Sequence, residues 1–129
     1  KEGHLSKLER EMIAVVVSSC NKCFYCLIAH GAAVRQLSKN QYLGDELMIN
    51  YRSASLNMRH KLMLDFSFKL TENPSKVDNS DRNILREADF SEEEILEIVE
   101  VASFFNMSNR IAAGTDMRPN AKYHNMARE

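Results

Sequence analysis

Three cysteines and a histidine crowd one short segment, Cys20-Asn21-Lys22-Cys23-Phe24-Tyr25-Cys26-Leu27-Ile28-Ala29-His30. Cys23, Cys26 and His30 fall at i, i+3 and i+7. On a helix turning about 100° per residue, that spacing places all three within a sector of about 60°. In the first turn of a helix, Cys23 and Cys26 lie within disulfide reach, and the helix N-terminus favours thiolate over thiol. His30, four residues past Cys26, reaches the same face. A thiol next to a base, with a second thiol close enough to resolve whatever the first one forms, is what nucleophilic sulfur chemistry requires. Glu11 is the acid that would orient or proton-couple the imidazole, provided its helix packs antiparallel to the next across the short Ser18 to Asn21 connection.

The same residues admit other readings. Cys20 extends the run to C-x-x-C-x-x-C-x-x-x-H, a donor set suited to Zn or, with His in place of a fourth Cys, to an iron-sulfur cluster. Four ligands around one ion need irregular backbone, however, and Leu27 to Val34 reads as unbroken helix. Cys20 is then a packed thiol at the end of the first helix. The blandest reading makes Cys23 and Cys26 small buried hydrophobes, His30 a hydrogen-bonded core histidine, and Glu11 a solvated charge like its neighbours Glu9 and Arg10. The spacing of the four residues together favours redox chemistry.

The elements that must position them read as helices throughout. Ser6 and Glu9 form a capping box that starts a first helix, with Leu8, Met12, Val15 and Val16 as its buried stripe and Ile13 and Val17 widening it. A second helix runs from about Lys22 to Ser38, and Gly31 within it implies close approach by a neighbour. A shorter helix covers Gly44 to about Tyr51. Asn57 caps another that runs through Leu70, with Leu62, Met63, Phe66 and Leu70 inward, and Asn73-Pro74-Ser75 ends it. Asp78 to Asp81 reads as a linker into a short helix ending at Ala88. Ser91 with Glu94 opens the last and longest helix, with Ile95, Ile98, Val99, Ala102, Phe105 and Ile111 inward and Gly114 as its left-handed stop. Asn106, Asn109 and Arg110 share one face of that helix amid apolar residues, which reads as a buried polar network fixing helix packing or a subunit contact. His60 and His124 read as surface residues, and Met58, Met63, Met107 and Met117 as gap fillers. No periodicity follows Pro119. The fold class is all-α.

Composition agrees. Only 4 Gly and 2 Pro punctuate 129 residues that are 44% hydrophobic, a pattern of few turns and long regular elements. That length suits one domain, residues 1–129. Seventeen Lys and Arg against 18 Asp and Glu, with no block of like charge reaching five or six residues, give no reason to expect nucleic acid as a partner. The longest apolar stretch, Met12 to Val17, is far short of the ~20 residues a spanning helix needs, so no membrane partner is expected. Three clustered cysteines are not a secreted disulfide framework, which points to a cytoplasmic setting. The chain opens at Lys1 rather than Met, the form expected of a chain lacking an N-terminal segment.

Glu11, eleven intervening residues, and then Cys23, Cys26 and His30 in C-x-x-C-x-x-x-H spacing resemble the AhpD-like alkylhydroperoxidase and carboxymuconolactone decarboxylase superfamily. More narrowly, the stretches Leu5 to Ala14 and Phe105 to Arg110 are similar to its peroxidase-related branch, and the likeness spans most of residues 5–114. The resemblance implies an AhpD-like helical bundle that assembles into homo-oligomers and runs a peroxide-reducing dithiol cycle without a cofactor or metal. In that cycle Glu11 and His30 relay a proton from Cys26, the Cys26 thiolate attacks a hydroperoxide to give a sulfenic acid, and Cys23 closes the disulfide. A dithiol or protein reductant reopens it. One departure stands out: some members have a second His just before the later Cys, where this chain has Tyr25. Two other jobs fit the same fold, a lactone decarboxylase-like enzyme and a non-catalytic oligomeric scaffold. Decarboxylase members usually lack the paired cysteines, so Cys23 and Cys26 argue against that branch.

Overall fold

The computed structural model of the chain describes residues 4–128. Among them are seven α-helices and two short 3-10 turns, with no strand: α1 (Lys7–Cys20), α2 (Phe24–Ser38), α3 (Leu43–Asn50), α4 (Met58–Glu72), α5 (Asn79–Glu87), α6 (Glu92–Gly114) and α7 (Ala121–Asn125). The all-α expectation holds. Among the described residues, no helix is long and apolar enough to cross a membrane.

Helix α1 is the centre of the bundle and touches α2, α3, α4 and α6. Every residue from Met12 to Ser18 is buried, which explains the apolar run: a helix surrounded by others has no polar face to spare. Val15, Val16 and Val17 are mediocre helix formers, but burial of each contributes roughly 1.5–3 kcal/mol, several times the cost in propensity. Around α1, the core takes Val34 from α2, Leu47 from α3, Met63, Leu64 and Phe66 from α4, Leu85 from α5, and Ile95, Ile98 and Ala102 from α6. Helices α2 and α3 meet at two glycines. A Cβ on Gly44 would stand 2.7 Å from the Gly31 carbonyl oxygen, and one on Gly31 would stand 3.0 Å from the Met48 methyl. The close approach expected at Gly31 is therefore real.

Local signals set the helix starts. Ser6 with Glu9 and Ser91 with Glu94 close reciprocal capping boxes, and Asn57 accepts from the His60 N–H. Asp78 with Asp81 forms a third box, so the expected linker is the cap and first turn of α5. The stop of α6 differs from expectation. Gly114 is its last helical residue, and the left-handed position falls at Asp116, with φ of 56°. Ile111 is exposed, and Ala112 takes the buried place expected of it. Of the four methionines read as gap fillers only Met63 is buried; Met58, Met107 and Met117 are exposed.

Glu9 corrects a second expectation. It is buried, and while one of its oxygens closes the capping box, Oε2 accepts from Arg59 Nε at 2.8 Å and His60 Nε2 at 3.0 Å. Neither Glu9 nor His60 is therefore a solvated surface group. Burial alone would raise the Glu9 carboxyl, but the hydrogen bonds from His60, Arg59 and the Ser6 backbone outweigh it and hold the group far below the usual carboxylate range. A group depressed on folding stabilises the fold above its unfolded value and loses that contribution as pH falls through the folded one. Glu9→Gln is expected to cost about 2 kcal/mol at pH 7, with the gap to wild type shrinking as pH drops below 4.5, the unperturbed carboxyl value. Urea denaturation at pH 7 and pH 3.5 measures both.

Candidate active site

The α1–α2 hairpin builds the site. Glu11 lies nine residues before the end of α1 at Cys20, and His30 seven residues after Cys23, the N-cap of α2. At 1.5 Å per residue, these are about 13 and 10 Å from a shared turn. Folded antiparallel, the two helices bring both side chains to the same level. His30 Nδ1 lies 2.6 Å from Glu11 Oε1, with both side chains about one-fifth exposed. Since a carboxylate only accepts, Nδ1–H is the donor, and Nε2 remains as the nitrogen that can take a proton. The Phe105 ring stands edge-on to the imidazole, centroids 4.8 Å apart. Phe105 thus fixes the histidine from a third helix.

Cys23 and Cys26 form a disulfide, with Cα atoms 5.3 Å apart. Cys23 is the N-cap of α2 rather than lying inside it, so the helix begins at Phe24, two residues later than the expected start at about Lys22. Cys26 is the third residue of α2, within the turn where the helix dipole stabilises a thiolate. His30 lies one helical turn further along the same face. Both sulfur-bearing residues are at most 3% exposed and pack against Ala112 of α6, with Tyr25 alongside. An open surface cleft of about 410 Å³ reaches Glu11 from outside, lined by Arg10 of α1 and by Glu97, Glu100, Val101, Phe104 and Phe105 of α6. Another cleft of about 430 Å³, between α4 and α5, contains none of these residues.

Cys20 stands apart from the pair. Its thiol is half-buried against Glu72 at the C-terminal end of α1. Burial, with the Glu72 carboxylate beside it, pushes that thiol up to about 12, so at neutral pH it is not a nucleophile. Among the described residues no group of three or more His, Cys, Asp or Glu converges as a metal site would require. The four-ligand arrangement weighed from the C-x-x-C-x-x-C-x-x-x-H run is not assembled.

Three features were not visible in the sequence. The polar face of α6 reaches across to the turn before Cys23: Asn21 Nδ2 donates to Asn106 Oδ1 at 3.0 Å and to Asn109 Oδ1 at 2.9 Å. Arg35, 1% exposed, donates from Nε to the Met126 carbonyl and from Nη2 to the Tyr123 carbonyl, which ties the C-terminal α7 to α2. The segment after Pro119, read as aperiodic, is thereby ordered into a short helix. His124 remains exposed, with its ring 6.1 Å from that of Phe24, the residue that follows Cys23.

Comparison with known proteins places this arrangement. The Carboxymuconolactone decarboxylase family model matches residues 1–41, the stretch holding Glu11, Cys23, Cys26 and His30. An uncharacterized peroxidase-related protein from Silicibacter sp. TM1040 is 56% identical with a TM-score of 0.95, over 96% of this chain and 65% of that one. An alkylhydroperoxidase AhpD core, an uncharacterized peroxidase-related protein from Ralstonia eutropha JMP134, is 40% identical with a TM-score of 0.96, over 100% of this chain and 68% of that one. The chain belongs to the AhpD-like carboxymuconolactone decarboxylase superfamily. It spans about two-thirds of the length of these AhpD-like structures. No curated protein matches it. At the level of the superfamily, an oxidoreductase of the peroxidase kind is what these AhpD-like neighbours suggest.

Proposed function

We propose that this chain is a thiol-dependent peroxidase that reduces hydroperoxides through a Cys23–Cys26 dithiol cycle, with His30 as base and Glu11 as its relay. The observation that carries the reading is the 2.6 Å hydrogen bond between His30 and Glu11, one turn of α2 from a C-x-x-C disulfide. The relevant chemistry needs a thiolate at neutral pH, and the hairpin supplies its two sources of stabilisation: the N-terminus of α2 and a base oriented by a carboxylate.

The steps follow in order. His30 Nε2 takes the proton of Cys26, and the thiolate attacks the outer oxygen of the hydroperoxide. The S–O bond forms as the O–O bond breaks, and the leaving alkoxide receives the proton from the imidazolium. Cys26 is then a sulfenic acid. The Cys23 sulfur attacks the Cys26 sulfur, the S–O bond breaks, the hydroxyl leaves as water with the Cys23 proton, and the disulfide closes. A dithiol reductant returns two electrons and two protons by exchange. Such a cycle belongs in the reducing cytoplasm, where disulfides are catalytic rather than structural.

The homo-oligomer that the resemblance implies is part of the same reading. Phe104, Met107 and Ile111, each more than half exposed, line one face of α6 at i, i+3 and i+7, and an apolar stripe of that kind suits a second copy of the chain. The decarboxylase alternative is the weaker one, because it leaves the disulfide pair without a use. Purified protein supplied with hydrogen peroxide or an organic hydroperoxide and dithiothreitol is expected to consume peroxide one for one with dithiol oxidised. Failure to consume any of several hydroperoxides above the rate of dithiothreitol alone would overturn the reading.

A further inference from the structure

The turn that carries Cys23 is only three residues long, Asn21 to Cys23, and it contains a non-glycine residue in the left-handed region: Lys22, with φ of 53°. Such a conformation costs on the order of 1 kcal/mol and persists only where the surroundings over-determine it. What over-determines it is the polar face of α6. Asn109, 1% exposed, accepts from Asn21 Nδ2 at 2.9 Å and donates from its own Nδ2 to Ser18 Oγ at 2.9 Å. Ser18 in turn accepts the Cys23 N–H on its backbone carbonyl at 3.0 Å. Asn106 joins from the preceding turn of α6 by accepting from Asn21, and is itself held by donating to the Ala102 carbonyl and to Thr71 Oγ1. Three residues beyond Asn109, Ala112 packs against both cysteines. One helix therefore both clamps the backbone before Cys23 and covers its sulfur.

We propose that Asn109, acting through Asn21 and Ser18, is a positioning residue for the dithiol: it holds Cys23 in place when the disulfide is open, and so sets how readily that disulfide is reduced. The inference rests on the redox reading of Cys23 and Cys26 and assigns a job to the Asn106 to Arg110 face that the peroxidase cycle leaves unused. The reaction concerned is exchange with a dithiol. The Cys23–Cys26 bond breaks, two electrons and two protons pass from the reagent to the protein sulfurs, and the reagent closes to its cyclic disulfide. Its equilibrium constant reports the effective concentration of one protein thiol at the other. A clamped Cys23 has little freedom to lose when the disulfide forms, so the oxidised form is favoured. Releasing the clamp makes the disulfide easier to reduce.

The test is the equilibrium of the full chain with mixtures of reduced and oxidised dithiothreitol, quenched by alkylation and read by mass spectrometry. Asn109→Ala is expected to shift the equilibrium about tenfold toward the dithiol, which is about 30 mV for a two-electron couple. Asn21→Ala, which removes a half-buried side chain and leaves α6 intact, is expected to shift it severalfold in the same direction and stands in if Asn109→Ala fails to fold. Val99→Ala, on the same helix but packed against the core away from the turn, should lower the melting temperature without moving the equilibrium. Values within twofold of wild type for Asn109→Ala and Asn21→Ala, or an equal shift in Val99→Ala, would make the network merely structural and overturn the proposal. No peroxide enters this measurement. A failed peroxidase assay therefore leaves its outcome standing, and an unmoved potential leaves the peroxidase reading standing.

Discussion

Cys26→Ser protein is expected to consume no hydroperoxide above the uncatalysed rate, a loss on the order of 10³ or more, while Cys23→Ser protein completes one turnover and stops. The asymmetry follows from position. Cys26 is inside the first turn of α2 and one turn from His30, so removing its sulfur removes the attacking atom. Cys23 is the N-cap, outside the helix and held by its backbone to Ser18. Without its sulfur, and with no thiol added, Cys26 still reacts with one equivalent of peroxide, but the sulfenic acid has no partner. Stopped-flow consumption, with a dimedone adduct located by mass spectrometry, reads both results. A stoichiometric burst from Cys26→Ser and none from Cys23→Ser would reverse the order of attack.

The second large effect is expected at the relay. His30→Asn removes the base and is expected to cost 10²–10⁴ in rate at pH 7, the range for a positioned general base. The loss should shrink as pH rises past about 8.5, where a free thiol ionises unaided. Glu11→Gln leaves the imidazole in place but replaces the carboxylate that orients Nδ1–H and stabilises the imidazolium, and a loss of roughly ten- to a hundredfold is expected. Because Glu11 acts through His30, the double variant should be no slower than His30→Asn alone. Losses that multiply would show that Glu11 works independently, and a pH-independent deficit in His30→Asn would show that the imidazole is not the base.

How much of this could be read from the chain depends on the range of each interaction. The capping boxes at Ser6 and Ser91 are local, three residues each, and they are where the sequence places them. The meeting of Glu11 and His30 was legible only as a condition: the short connection between their helices makes an antiparallel pair a natural outcome, and the contact itself comes from the packing. Glu9 shows the limit. Its local partner in the capping box was evident, while Arg59 and His60, some fifty residues away, are supplied by the packing of α4 onto α1 and leave no mark in the sequence around Glu9. Arg35 is similar: an arginine on a helix reads as a surface charge until the carbonyls of Tyr123 and Met126 are seen to meet it. On α6, the inward pattern taken from its first turns drifts around 23 residues, so that Ile111 turns outward and Ala112 meets the cysteines. Asn106 and Asn109 were legible as a polar face but not as a clamp, since their partner Asn21 is as distant along the chain as Arg59 and His60 are from Glu9, and more so.

Alkylation of the fully reduced protein across pH 5 to 10, with the label located by mass spectrometry, tests most directly whether the hairpin makes a thiolate at one chosen sulfur. Cys26 should label first, with a midpoint well below 8.5, the value for a free cysteine, and should return toward that value in His30→Asn. Labelling of Cys26 that titrates at or above 8.5, or Cys23 ionising ahead of it, would contradict the assignment of the nucleophile and the relay built around it.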